Sequence, residues 1–140
     1  MTGETEAIPI LVTLGLPGNG TLDIRFPPQY EQEIRALLDE WDIRHGRVLE
    51  FSAGGELWIE AVRVLSVPGG LAALAAMLKA FMHRHDGKRF VLNGEEIETA
   101  GLSRNEIEQL LQAVAKKQAQ QDVAWQQLRA AKRAGEDGGA

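Results

Sequence analysis

The sequence contains no cysteine among its 140 residues. This absence excludes disulfide bonds, thiolate zinc or iron–sulfur sites, and a cysteine nucleophile. Long hydrophobic runs are missing as well: the uncharged stretch from Val64 to Leu78 is interrupted by a Pro-Gly-Gly turn and is shorter than the roughly 20 apolar residues of a bilayer span. Glu4 and Glu6 without a basic cluster disfavour a secretory signal. We therefore expect a cytoplasmic protein with no membrane partner.

Excess positive charge is also lacking. The chain has 15 basic and 20 acidic residues and a net charge of −5, whereas a nucleic-acid binder needs a basic footprint to displace phosphate counterions. Nucleic acid is thus a disfavoured partner. The balance is uneven, because residues 1–60 hold 11 acidic and 4 basic residues while residues 61–140 hold 9 and 11. Such a two-signed surface is suited to orienting a protein partner.

The composition that is present is typical of one folded domain, with 44% hydrophobic and 25% charged residues. We predict four segments along the chain. They are a flexible N-terminus over residues 1–7, an α+β domain over 8–115, a helical extension over 116–134 and a disordered tail over 135–140.

Hydrophobic periodicity predicts a hairpin and then a helix. Apolar residues at every second position from Ile8 to Leu16, and again from Leu22 to Phe26, predict two strands joined by a turn at residues 17–20. The period then changes to that of an amphipathic helix, which we expect to end at a glycine C-cap near Gly46. Its apolar stripe comprises Tyr30, Ile34, Leu37, Leu38 and Trp41.

Two β-rich runs follow, at residues 47–51 and 56–67, and Ala53-Gly54-Gly55 between them predicts a second hairpin. The faces of the second run are mixed, which indicates a bulge or burial on both sides. Pro68-Gly69-Gly70 then opens a second amphipathic helix that we expect to stop at Asp86-Gly87.

The remaining elements are a short hairpin over residues 89–98, turning at Asn93-Gly94, and a third helix. Ser103 followed by Glu106 is a capping box that begins this helix. Beyond Ala115 its apolar stripe thins. The predicted fold class is α+β, a mostly antiparallel sheet with two amphipathic helices on one face and a C-terminal helical extension.

Histidines are the first candidates for a metal site or a general base. His83 and His85 lie two positions apart, so on a helix they point about 200° away from each other and cannot chelate one ion. Their place in a last helical turn, like that of His45, favours interaction with the negative end of the helix dipole. We predict no metal site and no cofactor.

Asp39, Glu40 and Asp42 form an acidic cluster without the alternate-residue ligands or closing glycine of a calcium loop, and we interpret it as a solvated helix face. Ser52 and Ser66 have no nucleophile-elbow context. The sequence therefore predicts no catalytic residue.

Gly69 and Gly70 lie where a strand meets a helix N-terminus, a place where backbone amides can bind an anion. The segment lacks the G-x-G-x-x-G pattern and the lysine of a P-loop. A tight turn with close packing is the favoured interpretation, and an anion-binding turn is the alternative.

The predicted C-terminal extension combines positive charge with two large apolar residues, which are suited to anchoring a partner in a groove. An alternative that stays open is that these residues fold back and are buried on the domain. A basic helix on nucleic acid or an anionic membrane is a third interpretation, for which the apolar stripe is sparse. The candidate partner-binding residues are Trp125, Leu128, Lys116, Lys117 and Arg129.

Four short segments of the chain resemble a known family. They are Leu22-Asp23-Ile24-Arg25, residues 33–38 with Trp41, Gly46-Arg47-Val48, and residues 69–75 with Leu78. Over about residues 21–98 the chain resembles the effector-associated constant component family of actinobacterial conflict systems. The resemblance implies a non-catalytic adaptor whose partners are variable effectors, such as peptidases, and ATPase or signalling modules.

The expected function is therefore that of a protein–protein interaction module in a bacterial multi-component effector or conflict system. The alternative is a self-associating structural component, a homo-oligomer formed through the C-terminal helix. A third hypothesis is a small enzyme, which would need a pocket that joins His83 or His85 to the acidic first helix.

Overall fold

The computed structural model describes residues 8–18, 20–49, 57–85, 89–93, 95–98 and 103–138. Several predictions lie outside these ranges: those for residues 1–7, 53–55, 86–87 and 139–140, for Ser52 and for Gly94.

Six strands form one sheet in the order β3-β4-β2-β1-β5-β6. They are β1 (Ile8–Leu14), β2 (Thr21–Phe26), β3 (Arg44–Arg47), β4 (Trp58–Arg63), β5 (Arg89–Leu92) and β6 (Glu95–Glu98). Strands β1 and β5 are parallel, and the other four neighbouring pairs are antiparallel. The predicted mostly antiparallel sheet and the two hairpins β1–β2 and β5–β6 are confirmed.

The helices are α1 (Glu31–Glu40), preceded by a 3-10 turn at Pro28–Tyr30, α2 (Gly70–Arg84) and α3 (Arg104–Gly138). The predicted α+β class and the long C-terminal helix are confirmed. None of the helices in the described part of the chain combines the length and the apolar character needed to cross a bilayer.

The core lies between the helices and one face of the sheet. Alternate residues of β1 and β2 point into it, because successive side chains of a strand face opposite sides. They meet the first turns of α3 and the apolar stripes of α1 and α2, as predicted except at Trp41, which is exposed at the end of α1. The largest fully buried side chains include Phe26, Phe81, Phe90, Ile24, Leu37 and Leu78.

Helix α1 ends earlier than predicted. Asp42 takes a left-handed conformation with φ of 58°, its N–H donates to the Asp39 carbonyl at 3.1 Å, and the Ile43 N–H donates to the Leu38 carbonyl at 2.8 Å. These two bonds form a Schellman motif, in which Ile43 and Leu38 are also both buried. The C-cap prediction at Gly46 is wrong, because aspartate here takes the left-handed position that glycine usually occupies.

Strand β3 occupies the segment that was expected to finish that helix, so Gly46 and His45 are strand residues. The β3–β4 hairpin is confirmed, but its first strand begins three residues earlier than predicted, and Arg44 pairs with Arg63. Burial on both sides of β4 is also confirmed. Ile59 and Glu60 are adjacent and point to opposite faces, yet both are buried.

Helix α3 begins at the predicted capping box: the Glu106 N–H donates to the Ser103 hydroxyl at 3.2 Å, and the Ser103 N–H donates to the Glu106 carboxylate at 3.3 Å. It then continues without a break through the expected domain boundary at residue 116 and through residues 135–138, which were predicted to be disordered. The division of the chain into a domain, an extension and a tail stays a prediction. Adding a residue to an existing helix is far easier than starting one, so a single docked helix extends into weakly patterned sequence.

Candidate interaction surface

Helix α3 divides into a docked half and a projecting half. In the docked half, residues 104–122, buried positions recur along one stripe: Ile107, Leu111, Ala115 and Gln118. In the projecting half, residues 123–135, every residue is exposed. The change occurs within one continuous helix, so the docked half holds the projecting half in place.

Two polar side chains at the end of the docked half bind the turn between β1 and β2. The Gly15 N–H donates to Gln118 Oε1 at 2.9 Å, and Gln118 Nε2 donates to the Leu16 carbonyl at 3.4 Å. Asp122 Oδ1 accepts from the Gly18 N–H at 2.6 Å and from Gln118 Nε2 at 2.9 Å. Gln118 is fully buried. The positions at which the apolar stripe thins are thus used for polar docking.

Trp125 is one turn further along and touches the same turn. A Cβ atom placed on Gly18, which has φ of 85°, would lie 3.3 Å from Cδ1 of the indole. The side chain nevertheless stays 41% exposed. Trp125 therefore lies at the point where the helix leaves the domain, with one edge against the turn and part of its surface in solvent.

Leu128 lies in the projecting half and is 63% exposed. Trp125, Leu128 and Arg129 line one shallow depression together with Lys132 and Arg133. The alternative prediction was that the extension folds back and buries its apolar residues on the domain. Only Trp125 contacts the domain, through one edge of its ring. Leu128 is not covered within the described part of the chain.

Lys116 and Lys117 are both exposed but lie on different sides of α3. Lys116 lines a groove of about 730 Å³ between α3 and the segment that follows β4. Arg63 and Ser66 line the groove from its other side. Lys117 is not among the lining residues. The structure therefore brings three of the five predicted partner-binding residues to one depression and a fourth, Lys116, to this neighbouring groove.

Gly69 and Gly70 form the tight turn that leads into α2. Gly69 has φ of 73°, and a Cβ atom on Gly70 would lie 2.1 Å from the Val64 carbonyl oxygen. The left-handed backbone conformation thus explains Gly69, and close backbone approach explains Gly70. A cavity of about 480 Å³ beside them is lined by Arg44 and Arg63. Anion binding at this turn stays a prediction.

A buried carboxylate that sequence analysis did not single out lies beneath α1. Glu60 of β4 is fully buried, and its Oε1 accepts a hydrogen bond from Trp58 Nε1 at 2.8 Å. Its Oε2 lies 2.5 Å from His45 Nδ1 and 3.6 Å from Arg35 Nε. The only available signal was its place in the alternation of β4, in phase with Val62 and Trp58 on the core side.

His45 joins this carboxylate to α1. Its Nδ1 faces Glu60, and its Nε2 lies 2.7 Å from Asp39 Oδ1. Burial acts to lower the pKa of His45, but the hydrogen bonds and negative charges of Glu60 and Asp39 outweigh burial and raise the pKa above its ordinary value of 6.5. Only an imidazolium donates from both ring nitrogens, so the arrangement fits a charged His45. The helix-dipole interpretation of His45 is wrong.

Arg47 completes this cluster by lying over the Trp58 ring, with its guanidinium carbon 4.0 Å from the ring centroid. Trp58 is therefore held through its ring face by a cation and through its N–H by Glu60. Each polar side chain of this cluster has a protein partner, and together these contacts connect β3, β4 and α1.

His83 lies in the last turn of α2 and is exposed, and its interaction with the helix dipole stays a prediction. His85 behaves differently, because its Nε2 lies 2.9 Å and 3.0 Å from the two carboxylate oxygens of Glu33 in α1. Its ring also packs against Tyr30 and Phe81. His85 thus connects α2 with α1.

The acidic residues Asp39, Glu40 and Asp42 do not converge on a common point. Asp39 binds His45, Glu40 lies 3.8 Å from Arg84, and Asp42 caps α1. Within the described ranges, no group of three or more histidine, cysteine, aspartate or glutamate residues could hold a metal ion. These acids serve contacts between elements of the fold.

Comparison with known proteins adds no relative: no protein-family model, no curated protein and no solved structure matches the chain. The functional argument therefore depends on the residues of this chain.

Proposed function

We propose that the chain is a non-catalytic protein–protein interaction module, a cytoplasmic adaptor in a bacterial multi-component effector or conflict system of the kind that the family resemblance implies. Its contact surface is the projecting half of α3, and its partner is another protein of that system. The observation that carries the proposal is the exposure of Trp125 and Leu128 on a helix anchored at its other end.

The spacing of the exposed residues matches recognition of a helix by a groove. Relative to Trp125, Leu128 is at i+3, Arg129 at i+4 and Lys132 at i+7, which places them on one side of the helix. Peptide helices that dock in grooves use anchors at these positions. Tryptophan is among the residue types that contribute most to binding free energy when they become buried in an interface.

The anchored geometry supports the proposal energetically. An isolated helix of fewer than about 12–15 residues is marginal in water, and the projecting half is of that length. Because the docked half fixes the backbone of α3, a partner does not have to order this helix on binding. Pre-ordering reduces the entropy lost on association, so a small apolar surface can support useful affinity.

The experiment compares capture of partner proteins from a lysate of the native organism by three baits: the wild-type chain, the Trp125→Ala/Leu128→Ala double variant and a Val123→Ala control. Val123 is also exposed on α3, but it lies about 200° around the helix from Trp125. We expect a partner that the wild type and the control retain and the double variant loses. Binding is then measured with the purified partner.

Retention of the same partner by the folded double variant would contradict the proposed surface. Thermal unfolding of all three baits establishes whether each is folded. A partner lost equally by the control and the double variant would show that binding does not depend on this side of α3.

Self-association through α3 is the second candidate function. The exposed Trp125 and Leu128 continue a stripe of 3- and 4-residue spacing that begins at Ile107 and Leu111. The exposed part of this stripe is less than two heptads long, whereas coiled coils usually extend over three to four, so we favour binding to another protein. Light scattering at several concentrations decides, because a chain that stays monomeric throughout excludes self-association.

A further inference from the structure

The groove between α3 and the segment after β4, called here the α3 groove, has a charge pattern that the proposed function does not use. Lys116 lines it from α3, and Arg63 lines it from the end of β4. Both side chains are exposed. Among the described residues, neither forms an ion pair or a hydrogen bond, whereas Arg35 and Arg84 on the other side of the molecule lie beside glutamates.

The acidic residue of the groove offsets only one of these two cations. Asp122 lines the groove, and one of its oxygens accepts from the Gly18 N–H at 2.6 Å and from Gln118 at 2.9 Å, so this carboxylate also docks α3. Arg44, the cross-strand partner of Arg63, does not line the groove but lines the neighbouring cavity with Asp42. Like charges directly opposite each other in a sheet are destabilising, and an anion bound at Arg63 would relieve that repulsion.

Neutral polar groups give the groove the means to recognise carboxylates by hydrogen bonds as well as by charge. The Ser66 hydroxyl and the amides of Gln112 and Gln126 line it, and each can donate. The volume of about 730 Å³ is large for one small anion. It is suited to several consecutive residues of an extended chain.

The α3 groove also leads toward the projecting half of the helix. By helical geometry, Arg133 lies on nearly the same side of α3 as Gln126, and Arg129 lies between that side and Trp125. A segment lying in the groove can therefore continue along a row of cations to the apolar anchors.

From these observations we infer that the α3 groove binds an extended acidic segment of the partner protein, with glutamate or aspartate side chains at Arg63 and Lys116. The inference rests on the proposed function and names the chemistry of its partner. Charge complementarity fixes the occupant: the described residues that line the groove have an excess of one positive charge, Arg63 and Lys116 against Asp122, although the whole chain has a net charge of −5.

The test uses a fluorescein-labelled 12-residue peptide of alternating glutamate and alanine, measured by fluorescence anisotropy with the full-length chain. The Arg63→Gln/Lys116→Gln variant removes two cations from the groove. The matched control, Arg104→Gln/Lys117→Gln, removes two exposed cations of α3 that do not line the groove. We expect the groove variant to weaken binding by about tenfold or more, as loss of two charge-assisted contacts implies, and the control by less than about twofold.

Four outcomes would overturn the inference. Equal loss in the control would indicate attraction by overall charge alone. Equal binding of the glutamine version of the peptide would show that carboxylates are not recognised. If inorganic phosphate binds the groove and the peptide does not, the groove is a site for small anions. Shifts of the Gly20, Ser66 and Ala119 amide signals on peptide addition would place the peptide in the groove, and shifts confined to α1 would contradict it.

Failure of this inference is distinguishable from failure of the proposed function. A partner whose capture depends on Trp125 and Leu128, with no peptide binding in the groove, would retain the interaction module and reject the acidic segment. Peptide binding that requires Arg63 and Lys116, with no loss of any partner in the Trp125→Ala/Leu128→Ala variant, would retain the groove and reject the projecting half of α3 as the contact surface.

Discussion

The fold buries two polar side chains in its interior and leaves two large apolar side chains exposed on α3. Gln118 and Glu60 are fully buried, whereas Trp125 and Leu128 are 41% and 63% exposed. The buried pair is fully used: backbone groups of the β1–β2 turn bind Gln118, and Trp58 and His45 bind Glu60. The exposed pair has few contacts within the chain beyond the edge of Trp125 at Gly18.

The difference shows that hydrogen-bond partners decide which side chains this fold buries. A polar group is tolerated in the interior when its donors and acceptors are matched, and in the described part of the chain no buried side-chain nitrogen or oxygen lacks a partner. The apolar pair obtains no comparable benefit from its own chain. Burial of Trp125 and Leu128 against a second molecule would therefore be favourable.

The largest expected effect is at Glu60. Replacing Glu60 by Ala leaves the Trp58 N–H and the His45 ring without their acceptor in the interior, and removal of one partner from a buried charged pair typically costs about 3–5 kcal/mol. We expect a loss of that size in the free energy of unfolding, measured by urea denaturation. Glu31→Ala is the control, because it removes a partly exposed carboxylate that also pairs with Arg35 and should cost about 0.5 kcal/mol. Equal losses in the two variants would contradict the stabilising role of the buried Glu60 carboxylate.

A smaller loss is expected at Gln118. Gln118→Ala leaves the Gly15 N–H without its bond and releases Asp122, so the free energy of unfolding should fall by about 1–2 kcal/mol. Gln120→Ala, two residues away and exposed, should change it by less than about 0.5 kcal/mol. Chemical denaturation of both variants checks the prediction. No difference between them would mean that the turn does not depend on α3.

The pH dependence of stability sharpens the comparison at His45. Its pKa in the folded chain lies above 6.5 because the effects of Glu60 and Asp39 outweigh burial, so the folded state holds the proton more tightly than the unfolded state. The stabilisation is complete below pH 6.5 and is lost as the pH rises through the folded-state pKa. Wild type and His45→Gln, unfolded at a series of pH values, should differ most at the acidic end of this window. A constant difference across the window would contradict a charged His45.

The smallest effect is expected for the exposed apolar pair. The Trp125→Ala/Leu128→Ala variant should lower the free energy of unfolding by about 1 kcal/mol or less, since neither side chain belongs to the buried core and alanine is a good helix former. Thermal or chemical unfolding measures this. A loss as large as that of Glu60→Ala would show that the pair belongs to the interior, and the contrast between the two regions would disappear.

Much of the fold follows from local patterns. The β1–β2 hairpin, α2, the β5–β6 hairpin and the capping box of α3 are found where periodicity and turn residues place them. In each, local sequence and tertiary burial agree. A strict alternation leaves one choice of core face, and Ser103 with Glu106 forms the predicted reciprocal bonds.

The errors occur where a distant residue decides the outcome. Helix α1 ends at a Schellman motif built on Asp42, for which Ile43 must reach the core, so the local glycine signal at Gly46 misleads. Glu60 is buried because His45 and Trp58 reach it, and Gln118 is buried because the β1–β2 turn reaches it. The contacts of Glu60 with His45 and of Gln118 with the turn join residues far apart in the sequence, so a window of neighbouring residues does not show them. The candidate site shows the same division. The sequence predicted Trp125 and Leu128 as contact residues, but it did not predict that Arg63 and Lys116 line one groove from opposite sides.

The central place of β1 in the sheet has a consequence for the order of folding. Its Val12 N–H donates to the Asn93 side chain across 81 positions of sequence, and Ile8 pairs with Phe90 in parallel. Closing so long a loop is entropically unfavourable and slows folding. During synthesis on the ribosome, one edge of β1 therefore stays unpaired until β5 has left the exit tunnel. An incomplete chain that ends after α2 would expose an apolar strand edge, which is a template for aggregation.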